Sequence, residues 1–594
     1  MLLNTKMNNP YFRLIRTIWH YGVPWRGTIV GYYIAYILAR AIRNLAPYAF
    51  GRTIDILQNF KPDRLEEVIY WLIVGVGVVL VYWLLHGPTR VIERNTALKI
   101  QQAFQLNLYE KLTQLPLKWH QEHHSGNTVT RINRASNALY DFAEDQFIYI
   151  QTIVTFFTSI VFLLWISPVV GVLSLITSAL SMFTVIWFDR KLTRLYDTQN
   201  EIENKLGAVL FDYLNNMTTV LTLRLGSLTH GNLAQCMKSI WPSFKKDVVT
   251  NEVKWFTMEM LLTISQTIIL IGYIIYTLHA TGAIMIGVVI MIFRYQWELG
   301  SVFQELSIHY SRLVHMNTDI ETIEPLLSDI KKFAHKPAGI EVARQWHTIQ
   351  VRELCFQHNK VADNKPTFND LSFTIQRAEK IALIGSSGGG KSTLLNLLSG
   401  LYTPSKVNLL IDGVSFDILE PLQSIATLIP QDPEIFENTV YFNITMGLPA
   451  EPAELQHIMQ LSRFSSVLEK LSEGLETYIH EKGLNLSVGQ KQRLALARGL
   501  FAARFSSLIL MDEPTSSLDL QTEKEIFSDV IRNLQNSTMI ISLHRLHLLP
   551  LFSRIIMLDK QGIVADGSAK ELLNEPGVVR DLWKKYQAHS ENEN

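Results

Sequence analysis

The stretch Ile381–Thr393, IALIGSSGGGKST, decides the fold of the carboxyl-terminal half of the chain. Four apolar residues predict a buried strand, the glycines predict a tight turn, and the following LLNLLSGL predicts a helix. Gly385, followed after four residues by Gly390, Lys391 and Ser392, fits the phosphate-binding loop pattern. Glycines let backbone N–H groups close around phosphate oxygens, and the helix start presents its positive dipole end to the same anion. The pattern predicts a nucleotide site, against the alternative of a glycine-rich turn with a solvated lysine.

The loop has the side chains that ATP and Mg²⁺ require. Lys391 reaches the β- and γ-phosphates, and the hydroxyl of Ser392 lies on Mg²⁺. We expect every residue of the loop to contact the nucleotide: Gly385, Ser386, Ser387, Gly388, Gly389, Gly390, Lys391, Ser392 and Thr393.

A second apolar run, LILMDE at Leu508–Glu513, reads as a buried parallel strand that ends in two carboxylates. We expect Asp512 to hold Mg²⁺ through water and Glu513 to act as the general base that polarises the attacking water. The alternative is a carboxylate pair that caps the next helix.

Composition restricts the remaining possibilities. The 594 residues carry no net charge, so nothing in the global charge favours nucleic acid as a partner. Charged residues make up only 18% and hydrophobic residues 48%, and the excess of apolar residues lies in the first half. Cys236 and Cys355 are far apart, which argues against a disulfide framework or a zinc cluster.

The first half reads as membrane-spanning. Residues 1–25 predict an amphipathic basic helix on the inner membrane surface. Six apolar stretches then have the ~20 residues needed to cross the bilayer core: 27–55, 68–91, 146–167, 169–188, 256–278 and 282–304. The long links 92–145 and 189–255 are rich in charged residues, keep helical periodicity, and by the positive-inside rule are cytoplasmic with the N-terminus.

The second half reads as a different domain. The membrane region ends near residue 327, and 328–339 is a polar linker. From 340 to 586, short β-like runs alternate with helices, which is typical of an α/β domain. We expect the tail 587–594 to be disordered.

Between the phosphate loop and the carboxylate strand, Leu486–Gln490 reads LSVGQ. With this motif the chain resembles the ATP-binding-cassette family, whose signature is usually LSGGQ; Val488 departs from it. The resemblance implies an all-α transmembrane domain of six long helices fused to an α/β P-loop NTPase domain, which together form an exporter-type half-transporter. It also implies that Ser487, Gly489 and Gln490 bind the ATP held by the opposite subunit, so one chain does not complete a site.

Other positions match the family pattern residue by residue. Gln431 resembles the glutamine that senses the γ-phosphate and Mg²⁺, and Asp519 resembles the aspartate that crosses the dimer. His544 resembles the switch histidine on the γ-phosphate, against the alternative of a core histidine at a strand end. His358 stands where an aromatic residue, usually Tyr, stacks on adenine.

Ionisable residues within the predicted spans are costly and tend to face an interior. Arg40 and Arg43 lie on one face of span one, and Arg294 and Glu298 lie one turn apart in span six. In one interpretation Arg294 and Glu298 form a structural pair. In the other, the three arginines line a central cavity that recognises anionic or carbonyl-rich cargo.

The sequence therefore predicts an ATP-driven exporter in the inner or cytoplasmic membrane, with ATP and Mg²⁺ as cofactors and the cassette in the cytoplasm. Its partner is a second half-transporter, with a homodimer favoured over a heterodimer, and its cargo is a lipid, a hydrophobic drug or another small molecule, or a peptide. An exporter-fold importer and a membrane regulator without transport are the alternatives. Six spans and neutral charge argue against a soluble cassette ATPase of the DNA-repair or translation type.

Overall fold

The computed structural model describes residues 9–58, 60–123, 125–333, 342, 345–358, 367–480, 483, 485–559 and 562–592. The chain divides into two compact units. The first is Met1–Gln114 with His123–Lys332, and the second is Leu115–Glu122 with Phe333–Asn594.

The first unit contains helices joined by short turns, with no strand among its described residues. Its helices are α1 (Pro10–Tyr21), α2 (Arg26–Arg43), α3 (Ala46–Gln58), α4 (Leu65–Thr113), α6 (Ser125–Glu144), α7 (Gln146–Ile166), α8 (Pro168–Asn215), α9 (Met217–Thr222), α10 (Gly226–Lys238), α11 (Trp241–Thr281), α12 (Ile286–Glu321) and α13 (Glu324–Phe333). The helix α5 (Leu117–Glu122) belongs to the second unit.

Five helical stretches are long and apolar enough to cross a membrane, by length and composition alone. They are Pro62–Thr113, Ser125–Ile166, Pro168–Asn215, Gly226–Thr281 and Ile286–Phe333. Predicted spans two to five lie within the first four of these stretches, apart from residue 167, and span six begins four residues before the fifth. The helices α4 and α8 have 49 and 48 residues, so both continue well beyond a bilayer, as their periodicity predicts.

The first predicted span is not one helix, which corrects the prediction for 27–55. The helix α2 ends at Arg43, with the N–H of Asn44 bonded to the carbonyl oxygens of Arg40 and Ile42, and α3 begins at Ala46. Pro47 explains the break, because a proline inside a helix has no N–H to donate and its ring clashes with the preceding turn.

The tight links between spans have the caps that their residues predict. Ser167 is extended between α7 and α8, and Pro168 takes the first position of α8, where its missing N–H costs nothing. Gly282 ends α11 in the left-handed conformation, with φ of 70°.

Two predicted boundaries differ from the structure. The helix α13 extends to Phe333, six residues into the predicted linker 328–339, because Ser328–Phe333 continues an amphipathic pattern that buries Ile330. The helix α21 (Val578–Asn592) occupies most of the tail predicted to be disordered, since no glycine or proline interrupts it. The remainder of the linker and residues 1–8 of the N-terminal segment lie outside the described residues.

The second unit contains two sheets. Its strands are β1 (Thr348–Phe356), β2 (Phe368–Gln376), β3 (Lys380–Gly385), β4 (Lys406–Ile411), β5 (Val414–Phe416), β6 (Ala426–Ile429), β7 (Leu508–Asp512), β8 (Thr538–Ser542), β9 (Arg554–Asp559) and β10 (Gly562–Ser568). Its helices after α5 are α14 (Lys391–Leu398), α15 (Val440–Thr445), α16 (Pro452–Leu461), α17 (Ser465–Leu468), α18 (Val488–Ala502), α19 (Leu520–Asn533), α20 (Ala569–Asn574) and α21.

The larger sheet has the order β10-β9-β3-β8-β7-β6, and its neighbours from β9 to β6 are parallel. The smaller sheet, β2-β1-β4-β5, is antiparallel. The strands β7 and β8 are buried at every residue, as expected for parallel strands covered on both faces. Because the carboxyl ends of parallel strands share one edge, the loops after β3, β7 and β8 come together there.

Candidate functional site

The phosphate loop connects β3 to α14 in a conformation that needs glycine. Gly385 has φ of 151°, and a Cβ there would lie 2.0 Å from the carbonyl oxygen of Leu558. Gly390 caps α14 with φ of 93°, and its Cβ would lie 2.7 Å from the ring of Phe368. Both positions are closed to other side chains, which leaves the backbone N–H groups of the turn open to an anion.

The lysine of the loop is held against the loop itself. Nζ of Lys391 donates to the carbonyl oxygens of Gly385 at 3.0 Å and Ser386 at 3.4 Å. Oγ of Ser386 donates to Oδ1 of Asp559 at 2.9 Å. Ser387, Gly388 and Ser392 are exposed and Gly389 is buried. The loop therefore presents a positive charge and free backbone donors at the start of α14.

The two carboxylates after β7 are fixed by the neighbouring strand. Asp512 lies opposite Ser542 of β8, and Oγ of Ser542 donates to Oδ1 of Asp512 at 2.6 Å. The backbone N–H of Glu513 donates to the same hydroxyl at 3.0 Å, with Glu513 at φ of 41°, which is unusual for a residue with a side chain. Nε2 of Gln431 donates to Oε2 of Glu513 at 3.3 Å.

His544 follows β8 and is exposed. It lines a cavity of about 230 Å³ together with Glu513, Ser542 and Arg545. Glu513 and His544, the two residues predicted to act in hydrolysis, therefore share one cavity, and Gln431 contacts Glu513 from the side.

The sequence interpretation missed the residues that hold the segment before Asp519. Arg545 donates to the carbonyl oxygens of Leu518 at 2.6 Å and Ser516 at 3.1 Å. Gln492 contacts the same segment, because its Nε2 donates to Oγ of Ser516 at 2.9 Å and its Oε1 accepts from the N–H of Ser517. The sequence carried one signal for these contacts. Polar residues directly follow the two motifs: KQR follows LSVGQ, and Arg545 follows His544.

The signature residues form a helix start of their own. Ser487 caps α18, and its hydroxyl accepts from the N–H of Gln490 while the side chain of Gln490 accepts from the N–H of Ser487. The side chain of Gln490, predicted to contact ATP, is therefore engaged in this capping box. Among the described residues no hydrogen bond joins Ser487 or Gly489 to the phosphate loop. Val488 is 61% exposed, so its departure from glycine places an apolar side chain on the surface.

Asp519 caps α19, with Oδ1 accepting from the N–H of Thr522 at 2.9 Å. That hydrogen bond lowers the pKa of Asp519 below its ordinary value, so the side chain is a carboxylate at neutral pH.

His358 follows β1 in an aromatic cluster. Its ring lies edge-on to Phe356 and Tyr402, with centroids 4.8 and 5.5 Å away. Nε2 lies 3.3 Å from Oγ1 of Thr393, in the helix that starts at the phosphate loop. Burial lowers the pKa of His358, which favours the neutral imidazole. The histidine therefore lies beside the phosphate loop, and its contact with adenine stays a prediction.

The charged residues of the membrane helices do not all converge. Arg40 donates from Nε to Thr155 at 2.7 Å and from Nη2 to Glu298 at 3.1 Å, and Nη2 of Arg294 lies 3.9 Å from the same carboxylate. Arg43 instead lies over the ring of Tyr82, 5.9 Å from its centroid. Residues three apart on a helix are displaced by about 60°, which is enough to direct Arg40 and Arg43 at different neighbours.

A cavity of about 140 Å³ in the first unit is lined by α8, α11 and α12, and its lining includes none of the four charged residues predicted for a substrate cavity. Its polar wall is formed mainly by hydroxyl and amide side chains: Ser174, Thr177, Ser178, Gln266, Gln296 and Gln304. The acidic Glu259 also lines it. Arg40 and Arg294 pair with Glu298 instead, and the hypothesis that the three arginines line a central cavity stays a prediction.

A glycine-rich phosphate loop, a strand ending in two carboxylates and a capped signature helix define a P-loop ATPase domain, here following a helical membrane domain. The ABC transporter family matches residues 368–516, and the ABC transporter transmembrane region family matches residues 29–296. The chain belongs to the ABC transporter family and is a half-transporter, with one membrane domain and one ATPase domain that drives transport.

Similar proteins match over nearly the whole chain. The ATM1-type heavy metal exporter of Novosphingobium aromaticivorans is 22% identical over 95% of this chain and 93% of its own length. The mitochondrial iron-sulfur clusters transporter ATM1 of Saccharomyces cerevisiae is 25% identical over 94% of this chain and 82% of its own length. The structure of a bacterial Atm1-family ABC exporter with ATP bound shares the fold, with a TM-score of 0.78, 21% identity, and coverage of 94% of this chain and 98% of that one.

Proposed function

We propose that two copies of this chain form an exporter in which each ATP lies between the phosphate loop of one cassette and the signature helix of the other. The observation that carries the proposal is the separation of these parts within one chain. Ser487 caps α18, which packs on α15 and β6, whereas the phosphate loop precedes α14, which packs on β3, β6, β7 and β8. Among the described residues no hydrogen bond joins Ser487 or Gly489 to the phosphate loop, so we infer that a second cassette completes each site.

The residues fit ATP with Mg²⁺. The loop has no room for a Cβ at Gly385 or Gly390, and Lys391 holds a positive charge beside it. Ser392, Gln431 and Asp512 would hold Mg²⁺, which supplies charge neutralisation at the phosphates when it is bound. Ser542 orients Asp512 for this task.

In hydrolysis, Glu513 accepts the proton of the attacking water, and Gln431 orients its carboxylate. His544 contacts the γ-phosphate from the same cavity. His358 stacks on the adenine, and Thr393 contacts the phosphates at the start of α14. Asp519 approaches the partner cassette, and Ser487 and Gly489 present the start of α18 to the ATP of that partner.

The homodimer is favoured over a heterodimer because both carboxylates and His544 are present in this chain, so it needs no partner with better motifs. The first unit also has an apolar surface that the rest of the chain does not cover. In the most apolar segment of Gly226–Thr281, only 6% of the residues are buried within the chain, so lipid or a second subunit covers the others. The membrane is proposed to be the cytoplasmic one, with the cassette inside.

The cargo is proposed to be small and polar, moved out of the cytoplasm. The cavity between α8, α11 and α12 offers hydroxyl and amide groups that suit peptide-like amides and carboxylates better than an acyl chain. The names of two relatives point to heavy metals and iron-sulfur clusters. Among the described residues no group of three His, Cys, Asp or Glu side chains could hold a bare metal ion, so metal cargo would travel as a complex with a small organic ligand.

The test is ATP-dependent uptake into inside-out vesicles that contain this chain. Cadmium bound to a small cysteine-containing peptide is offered with ATP outside, beside a fluorescent phospholipid. We expect the cadmium complex to accumulate with the wild type and not with Glu513→Gln. Movement of the phospholipid alone would contradict the polar cargo, and loss of cadmium from preloaded vesicles on addition of ATP would contradict export.

A further inference from the structure

A second cavity, of about 180 Å³, lies between α1, the start of α2, the cytoplasmic part of α4 and the end of α12. One side of this basic cavity is apolar, formed by Tyr21, Phe104, Ile320 and Leu327. Its other side carries Arg16, Trp19, His20 and Arg26. It plays no part in the ATP site or in the polar cavity among the membrane helices.

The basic cavity has an unbalanced positive charge. No Asp or Glu is among the described residues that line it. Glu321 and Glu324, which follow the lining residues Ile320 and Ile323 in the chain, are both bound to Arg13. Burial first, and then the positive charges of Lys111, Arg26 and Arg16, lower the pKa of His20. A cavity in which cations repel the charging of a histidine is suited to an anion.

Hydrogen-bond donors remain available there. Arg26 uses Nε and Nη2 to donate to the carbonyl oxygen of Trp19, at 3.2 and 3.0 Å, and its guanidinium lies 4.8 Å from the centre of the Trp19 ring. Among the described residues, no acceptor pairs with Nη1 of Arg26 or with the guanidinium of Arg16. Guanidinium groups in this state bind phosphate oxygens through charge-assisted hydrogen bonds.

The position indicates which anion is available. Arg26 begins α2, so it lies where the chain enters the membrane. The helix α1 buries Leu14 and Ile18 but leaves Phe12 and Trp19 exposed, and Val23 behind it is also exposed. Exposed aromatic and apolar side chains beside arginines are typical of helices that lie in the headgroup region.

We propose that the basic cavity binds the phosphate headgroup of an anionic phospholipid of the cytoplasmic leaflet. Arg16 and Arg26 bind the phosphate, and the acyl chains lie along the exposed side of Trp19 and Val23. The ion pairs of Arg13 with Glu321 and Glu324 fix α1 to α12 and α13, so a bound lipid would stabilise α1 on the end of the helical domain.

The test measures lipid binding and does not depend on ATP hydrolysis or on the cargo. Delipidated full-length protein in a neutral detergent is mixed with phosphatidylglycerol or phosphatidylcholine, and bound lipid is counted by native mass spectrometry. We expect phosphatidylglycerol to bind more tightly, and Arg16→Gln with Arg26→Gln to weaken it by about fivefold for each arginine lost. The matched control, Lys99→Gln with Lys191→Gln, removes two exposed cations outside the cavity and leaves the binding unchanged.

Two results would overturn the proposal. One is an equal preference for phosphatidylglycerol in the wild type and the Arg16/Arg26 variant, with both proteins monodisperse. The other is tight binding of glycerol 3-phosphate without binding of phosphatidylglycerol, which would assign the cavity to a soluble anion. Arg16→Lys keeps the charge but not the fork of donors, and we expect it to retain part of the binding.

Discussion

The hydroxyl of Ser542 donates a hydrogen bond of 2.6 Å to Oδ1 of Asp512. The two residues face each other across the parallel strands β7 and β8, thirty positions apart in the chain. The same hydroxyl accepts from the N–H of Glu513, so one side chain orients both proposed catalytic carboxylates. The role of Ser542 is the part of the site that is least evident from the sequence.

Replacing Ser542 with alanine should slow ATP hydrolysis by about 10- to 100-fold, the usual effect of losing a residue that orients a metal ligand. The half-saturating Mg²⁺ concentration should rise, because Asp512 loses the hydrogen bond that fixes it. ATPase activity titrated with Mg²⁺ measures both effects. Ser415→Ala, which removes a hydroxyl from β5, is the control, and an unchanged Mg²⁺ dependence in Ser542→Ala would contradict this role.

Replacing Arg545 with alanine should lower the maximal rate of hydrolysis by about tenfold or more while leaving ATP affinity near the wild-type value. Arg545 holds the carbonyl oxygens of Ser516 and Leu518 just before Asp519, and it does not line the phosphate loop. Rate and affinity are measured separately, by ATPase kinetics and by nucleotide titration. Arg532→Ala, which replaces an exposed arginine of α19, is the control. A loss of ATP affinity in Arg545→Ala as large as its loss of rate would contradict the assignment.

His358→Tyr should bind ATP several-fold more tightly than the wild type, because a phenol ring offers more stacking area than an imidazole. His358→Ala should bind it more weakly. Since burial lowers the pKa of His358, the wild-type ring is neutral at pH 7 and above, and its affinity relative to His358→Tyr should stay constant from pH 7 to about 8.5. Isothermal titration at three pH values checks this, and unchanged affinity in both variants would show that the ring does not contact adenine.

Arg40→Gln should destabilise the membrane domain more than Arg43→Gln. Loss of Arg40 leaves Glu298 without its hydrogen-bonded cation, at a cost of about 1–3 kcal/mol. Within the described part of the chain, the contact that Arg43 makes is a cation–π contact with Tyr82, of about 0.5–1 kcal/mol. Thermal unfolding in detergent, followed by size-exclusion chromatography, compares the two.

The double variant Arg40→Gln with Glu298→Gln tests the pairing directly. It should recover part of the stability lost in Arg40→Gln, because the carboxylate that has lost Arg40 is removed as well. The recovery is only partial, since Arg294 then loses its own contact with Glu298. Equal stability of the two single variants, or no recovery in the double variant, would contradict the ion pair.

Local patterns predicted the parts of the ATP site that lie within one segment. The glycine loop follows β3, the carboxylates end β7, and LSVGQ starts α18, because each depends only on neighbouring residues. Ser542, Gln492 and Arg545 were not predicted as members of the site, since their roles arise from contacts between segments that only the sheet order brings together.

In the membrane half, periodicity and hydropathy predicted six spans. Five of them fall on long apolar helices, but the first is broken at Asn44, where the proline three residues later outweighs an apolar run. The polar cavity was also missed. Charged residues within spans one and six indicated a candidate substrate cavity there. Hydroxyl and amide side chains on α8 and α11 are common in membrane helices, so in a single sequence they do not indicate a cavity.

The central claim is that each ATP site needs two chains, and a mixing experiment tests it most directly. Lys391→Ala disables the phosphate loop and Ser487→Arg disables the signature, so each variant alone should be inactive as a homodimer. Coexpressed with different tags and purified for both, the heterodimer should regain about half of the wild-type ATPase rate, since one of its two sites is intact. A heterodimer as inactive as its parents, although folded and able to bind ATP, would contradict the account.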